Sequence, residues 1–300
     1  MSASAPNSFT LSTNSMHIVV CIKQVPDSTH IRVHPVTNTI MRQGVPAIIN
    51  PYDLFALEEA LRLKDQHGAH ITVVSMGPPQ AEPALRKALS YGCDEAVLVT
   101  DKVFSGADTL ATSYVLASAI KTLHAKNPVD LVFTGKQTID GDTAQVGPGI
   151  AKRLEFELLT YVSRINALDL ANRSITVERR AKGGVQVLQT RLPALITMLE
   201  GSNELRFANT PDMFKAARTT IPHWDKVSAG IEDITLVGLK GSPTVVSRVF
   251  GPTPRAGKAE QVSFDPDKPE VACATLLEKI LTESPRAKKE LARRQSTPQD

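Results

Sequence analysis

The chain has 300 residues, 42% of them hydrophobic, which is enough for one large domain or two small ones with a real core. Its formal charge of +3 is too small to argue for a nucleic-acid partner, and one Trp with four Tyr gives no stacking platform for single strands. Three isolated cysteines, Cys21, Cys93 and Cys273, form no CxxC, so no zinc or iron–sulfur motif is visible, and they fit a reducing, cytoplasmic compartment better than a disulfide scaffold.

Residues 1–15 are rich in Ser, Asn and Thr and lack Lys and Arg. They read as a disordered extension, neither secretory signal nor transit peptide. An apolar strand over residues 17–23 follows, stopped by the loop Lys23-Gln24-Val25-Pro26-Asp27-Ser28. Residues 31–41 suggest a hairpin-like insertion with Thr37-Asn38 near its turn. Asn50-Pro51 breaks the chain, and Leu54, Leu57, Leu61 and Lys64 mark a helix over residues 53–66. A buried strand over 70–75 ends at Met76-Gly77-Pro78-Pro79. A helix over 80–91, a strand over 96–100, a helix over 109–123 and a strand over 130–134 continue the alternation. No apolar run is long enough to cross a bilayer.

That alternation predicts βαβ units: an α/β fold with a doubly wound, mostly parallel, Rossmann-like sheet over residues 16–220. Ligands of such sheets sit beyond the carboxyl ends of the strands. Three loops leave those ends, at residues 23–28, 75–79 and 135–145, and are expected to meet at one crevice. After residue 160 the pattern changes. Residues 175–179 and 185–190 flank Ala181-Lys182-Gly183-Gly184 and form an added hairpin, and 193–197 is one more apolar strand. Residues 200–210 are polar and irregular. From Gly241 onward Pro, Gly and charge dominate, with one short helix expected over 271–281 and disorder in the last dozen residues. Residues 221–300 therefore read as a C-terminal arm and tail that order on partner subunits.

The richest ligand chemistry lies in Gly135-Lys136-Gln137-Thr138-Ile139-Asp140-Gly141-Asp142-Thr143-Ala144-Gln145-Val146-Gly147-Pro148-Gly149. A strand precedes it, and Val146, Ile150 and Leu154 mark a helix after it. A strand-to-helix loop presents backbone N–H groups and a positive helix end to an anion. Asp142 or Thr143 is a candidate N-cap. Gly135 and Gly141 permit close backbone approach, and Lys136 adds a cation. The set suits a diphosphate or an adenine nucleotide. The bland alternative is an ordinary loop, since neither a Walker motif nor GxGxxG is present. Asp140 and Asp142, with no nearby His or third acid, make a poor metal cage, so no metal is expected.

Several ordered motifs carry a resemblance. They are Cys21-Ile22-Lys23, Asn50-Pro51-Tyr52, Ser75-Met76-Gly77-Pro78, Gly135 through Asp140, Val177-Glu178-Arg179 through Gly183-Gly184, Leu192-Pro193-Ala194, and Asn203-Glu204-Leu205-Arg206-Phe207-Ala208 with Lys215-Ala216. The chain resembles the β subunit of electron-transferring flavoproteins, and its Lys-Gln-Val-Pro-Asp-Ser loop is most similar to the FixA, bifurcating type. The likeness covers about residues 16 to 220. It implies a heterodimer with a FAD-carrying, FixB-like α subunit and a second adenine nucleotide site in this chain. In the bifurcating type that site holds FAD, which takes hydride from NADH. Electrons then go to ferredoxin or flavodoxin and, through the α-subunit flavin, toward quinone by FixC- and FixX-like partners, a route tied to nitrogen fixation. In the respiratory type the site holds structural AMP.

By matching position, the resemblance assigns adenine and ribose contacts to the backbone of Cys21 and Lys23, to Asn50, and to Ser75, Met76 and Gly77. Phosphate contacts fall to the loop that opens with Gly135, Lys136 and Gln137, from Asp140 through Gly141, Asp142, Thr143, Ala144 and Gln145, and to the helix start at Val146 and Gly147. Pro26, Asp27 and Ser28 are candidates for the flavin-ring or NADH side. No residue is expected to act as catalytic acid, base or nucleophile, because the chemistry belongs to the flavin. Two departures stand out. Lys182 replaces a common acid in the hairpin turn, and Thr210 falls where the respiratory type carries an anchoring leucine. A nucleotide-sensing module of universal-stress type is the competing class, and the hairpin and C-terminal arm disfavour it.

Overall fold

The computed structural model describes residues 16–27, 32–33, 40–41, 46–244 and 261–295. The first half holds β1 (His17–Cys21), β2 (Gln24–Pro26), β3 (Arg32–Val33), β4 (Ile40–Met41), β5 (Ala47–Ile49), α1 (Pro51–His67), β6 (His70–Met76), α2 (Glu82–Ser90), β7 (Glu95–Val99), α3 (Thr109–Lys126) and β8 (Leu131–Gly135). Then come α4 (Val146–Leu154), β9 (Glu157–Asp169), β10 (Ser174–Ala181), β11 (Gly184–Arg191), β12 (Ala194–Met198), α5 (Thr210–Arg218), β13 (His223–Trp224), α6 (Pro269–Glu283) and α7 (Pro285–Gln295).

Nine strands form one sheet in the order β11-β10-β9-β12-β8-β1-β6-β7-β13. From β9 to β13 every neighbouring pair is parallel, and β10 and β11 extend the sheet antiparallel. Both faces of the parallel block are covered, as alternate side chains show. Ile18 and Val20 of β1 join Leu57 and Leu61 of α1 in one core, whereas Val19 and Cys21 join Val115 and Ile120 of α3 in the other. Phe133 of β8 is fully buried, a contribution of about 1.5–3 kcal/mol by the usual transfer scale. The expected doubly wound fold is therefore present. Its strands run one way from β1 (β6, β7) and the other way through β8 and β12, so the topological switch lies between β1 and β8.

Local rules explain the helix that matters most. Pro51 stands at the start of α1, where a missing N–H costs nothing, and Gly68 ends it in the left-handed region at φ 69°, its N–H on the Lys64 carbonyl. Several elements differ from the sequence reading. β9 was not expected. Its burial alternates poorly, Tyr161 has φ 57°, and two register shifts interrupt its pairing with β10, so the period-2 signal is broken. The β3–β4 pairing bears out the expected hairpin insertion, while Thr37 and Asn38 lie outside the described residues. Residues 221–244, assigned from sequence to the arm, instead pack on the α/β body. β13 pairs with β7, and Ala229 and Val237 are buried in the core on the α3 side.

The chain divides into two compact units, residues 1–250 and 251–300. The second contains α6 and α7 among its described residues. The disorder expected of the last dozen residues is corrected as far as Gln295, because Ala287, Lys288, Lys289, Glu290, Leu291, Ala292 and Arg293 are good helix formers. Residues 296–300, like 1–15, lie outside the described residues.

Candidate functional site

The loops after β1, β6 and β8 leave the carboxyl ends of three adjacent parallel strands, as expected for one crevice. Three side chains stitch two of them together. The Asn50 side chain donates to the Gln137 carbonyl at 2.8 Å and accepts from the Ile139 N–H at 3.1 Å. The Lys23 ammonium reaches both oxygens of Asp140, at 2.7 and 2.9 Å. Asp53, in the first turn of α1, accepts the Lys23 N–H at 2.8 Å and the Gly135 N–H at 3.1 Å. Partial burial works to raise the Asp140 carboxyl, but the Lys23 ammonium prevails and holds it below the usual range. Burial pushes the Asp53 carboxyl up to about 7, against the donors from Asn50, Lys23 and Gly135. Burial, with the neighbouring Asp53, also pushes the Cys21 thiol up to about 12, so it packs as a small apolar group.

The glycines of the loop divide by role. A Cβ on Gly135 would lie 2.5 Å from the Asp53 carboxylate and 2.6 Å from the Tyr52 backbone. Its bareness serves packing inside the chain, which corrects the expectation of close ligand approach there. A Cβ on Gly147 would meet Thr134 and Thr197 at 2.8 and 2.9 Å, so Gly147 seats the first turn of α4 on β8 and β12. Gly141 is exposed, and a Cβ there would touch only Thr138, at 3.4 Å. Asp142 and Ala144 both take the left-handed conformation, at φ 50° and 55°, a local strain of the kind that collects at binding loops.

The N-cap expectation is also corrected. α4 starts at Val146 with Gln145 at its cap position, and no side chain caps it, as none caps α1 or α2, whereas Asp108 and Asn209 cap α3 and α5. The Asp142 side chain instead accepts from Gln137 at 2.7 Å. Thr143 and Gln145 are exposed and Ala144 half-buried beside the uncapped helix end. Lys136, expected to add a cation to the site, pairs with Glu200 at 3.1 Å and lies over the Tyr52 ring at 4.8 Å. The Lys23 backbone, expected to contact a nucleotide, gives its N–H to Asp53 and its carbonyl to the Asn50 N–H at 2.8 Å.

Elsewhere at the edge, Ser75 is fully buried and its hydroxyl has no hydrogen-bond partner among the described residues, while Met76 and Gly77 are half-buried. Pro26 lies in the ribbon β2–β5 opposite Ala47, not after a strand end, and the Asp27 N–H donates to the Pro46 carbonyl at 2.8 Å. Ser28 lies outside the described residues. Sequence reasoning missed Asp53 as the brace of the site; an acid in a first helical turn is too common to mark it. No group of three or more His, Cys, Asp or Glu among the described residues is placed to hold a metal. The orphaned Ser75 hydroxyl, the uncapped α4 end and the exposed, strained loop fit an adenine nucleotide with a diphosphate.

Comparison with known proteins identifies the family. The electron transfer flavoprotein domain profile matches residues 37–228. A protein named FixA from Azotobacter vinelandii is 63% identical over 279 residues, covering 93% of this chain and 99% of its own length. Another FixA, from Sinorhizobium fredii, is 65% identical over 248 residues, 82% of this chain and 87% of its own. The electron transfer flavoprotein subunit beta of Clostridium acetobutylicum is 47% identical over 233 residues, 78% of this chain and 87% of its own. The chain therefore belongs to the electron transfer flavoprotein family, as a FixA-like β subunit that pairs with an α subunit in electron transport.

Proposed function

We propose that this subunit, paired with its α subunit, holds a whole FAD at the carboxyl edge of its sheet and serves an NADH-oxidising, electron-bifurcating complex. When bound, FAD would supply the redox chemistry: hydride acceptance from NADH and single-electron transfer to ferredoxin or flavodoxin and to the α-subunit flavin. The chain's own residues bind and orient. The uncapped end of α4, with residues 140–147, offers N–H groups and a positive helix end to a diphosphate. Ser75 offers a buried hydroxyl, and Met76 and Gly77 offer backbone, to the adenosine half. Pro26, in the β2–β5 ribbon, and Asp27 after it are the candidates for the flavin-ring or nicotinamide side. FixC- and FixX-like quinone-linked partners and a role in nitrogen fixation go with this reading. So does a cytoplasmic location that reaches the membrane surface only through partners. No helix among the described residues is long and apolar enough to cross a membrane.

The observation that carries the nucleotide half is the exposed loop running into an uncapped helix beside the topological switch. Flavin counting on the purified αβ pair, followed by anaerobic titration with NADH, tests the whole. FAD in both subunits and bleaching by NADH are expected. FAD in the α subunit alone, AMP in the extract and no bleaching would overturn the proposal in favour of the respiratory type.

A further inference from the structure

The backbone N–H groups of Lys23 and Gly135 converge at the switch point between β1 and β8, under the amino end of α1. That is the arrangement of an anion pocket. Here the chain fills it with its own carboxylate, Asp53, which is 5% exposed. A diphosphate is thereby excluded from the amino end of α1, whereas α4, at the end of the β8 loop, has no side-chain cap.

We propose that Asp53 is a positioning residue: an internal anion that locks the β1 and β8 loops together and takes up a proton when a nucleotide diphosphate binds beside it. This rests on the nucleotide reading given above. Gly135 opens the loop that ends at α4, and Lys23, whose N–H Asp53 accepts, holds Asp140 of that loop, so charge added beside Asp140 acts on a carboxylate with little water to screen it. The groups facing Asp53 are the Lys23 ammonium and Cys21 thiol from the β1 end, Asn50 ahead of α1, and Gly135 from the β8 end. Lys23 is itself occupied by Asp140, and Lys136 by Glu200, so neither cation is free to neutralise an added charge. The Asp53 carboxyl, already lifted toward neutrality by burial, is the group that can answer. The proton comes from solvent and sits on a carboxylate oxygen, and it returns when the nucleotide leaves.

FAD is the probe, because its diphosphate diester keeps a constant charge near neutrality. Calorimetric titration of FAD into an αβ pair that retains the α-subunit flavin but has its second site emptied is run in buffers of different ionisation enthalpy. Uptake of a fraction of a proton per FAD is expected near neutral pH, vanishing well below and well above it, with affinity falling by up to about tenfold per pH unit across that window. Asp53→Asn should remove both the uptake and the slope, whereas Asp140→Asn should keep them. A purely structural brace would change affinity without moving the proton count. Binding of FAD to the unaltered pair with no proton uptake overturns the inference even if Asp53→Asn does not fold, and so does an unchanged slope in Asp53→Asn. Failure of FAD to bind the unaltered pair at all overturns the nucleotide reading, and this inference with it.

Discussion

Lys136 and Glu200 form an ion pair at 3.1 Å that ties the start of the β8–α4 loop to the segment leading from β12 toward α5. Arg180 of β10 holds the other Glu200 oxygen, also at 3.1 Å. Nearby, Arg206 pairs with Glu58 and Asp65 of α1, the helix whose amino end braces the site. The candidate nucleotide loop and the segment 200–209 therefore share supports. Lys136→Ala should cost about 0–1 kcal/mol of stability, since Glu200 is half-exposed. It should nevertheless speed amide hydrogen exchange in residues 200–206. Unchanged exchange there would argue against the link.

Two glycines separate folding from binding. Gly135→Ala forces a methyl against Asp53 and Tyr52 and should destabilise the fold by about 1–3 kcal/mol, read from denaturant midpoints. Gly141→Val meets only Thr138, so stability should stay within about 0.5 kcal/mol. The bound nucleotide should be lost from Gly141→Val because a branched side chain crowds the exposed loop. Retention of stoichiometric nucleotide in Gly141→Val would place the phosphates elsewhere.

His17 predicts acid sensitivity of the fold itself. Its ring is buried, with Nδ1 3.0 Å from the Asn127 carbonyl and Nε2 3.0 Å from the Thr72 hydroxyl. Burial lowers its pKa, the Asn127 carbonyl opposes this, and the adjacent His70 lowers it further. The unfolded chain thus binds the proton more readily than the native one. The neutral ring's contribution is complete above about pH 6.5 and is lost as pH falls toward the depressed native value. Urea midpoints should drop over that window, and His17→Gln should flatten the drop.

Phe207 is 98% exposed, with Met213 and Phe214 also exposed beside it on and before α5. Thr210, the first residue of α5, stands where an anchoring leucine is expected in the respiratory type, a difference of about 1.5–3 kcal/mol of apolar burial. If the subunit docks a redox partner other than a soluble acyl-CoA dehydrogenase, exposed Phe207 is the side chain it offers in that leucine's place. Phe207→Ala should leave stability within about 0.5 kcal/mol while weakening co-purification with a quinone-linked oxidoreductase. Recovery of an acyl-CoA dehydrogenase by the unaltered αβ pair would count against it.

Ending the chain at residue 250 should leave a cooperative melt, because the body carries both of its cores. If residues 251–300 form an arm on the α subunit, the shortened chain should bind that subunit more weakly yet keep its nucleotide. Unchanged affinity for the α subunit would remove the arm reading.

The sequence by itself determined the α/β class and the strands and helices of the first half apart from the short β2 and β5, which fall in stretches read as loop. Each buried strand is a short apolar run, and the helices lie between clear breakers such as Asn50-Pro51 and Gly68, although α3 is buried nearly all round and shows little 3.6-residue period. It also placed the three loops on one edge, since parallel strands joined by helices have no other arrangement. What it could not decide were contacts between residues far apart in the chain. β9 was hidden because its bulges break the alternation. β13 is two residues long and exists only because β7 offers it an edge. Only the tertiary structure showed that Asp53 closes the gap between β1 and β8, that Lys136 turns to Glu200, and that Gly135 is bare for Asp53. The physical reason is burial: a carboxylate becomes a brace, and a lysine stops being a free cation, only when the folded chain withdraws water and supplies partners from dozens of residues away.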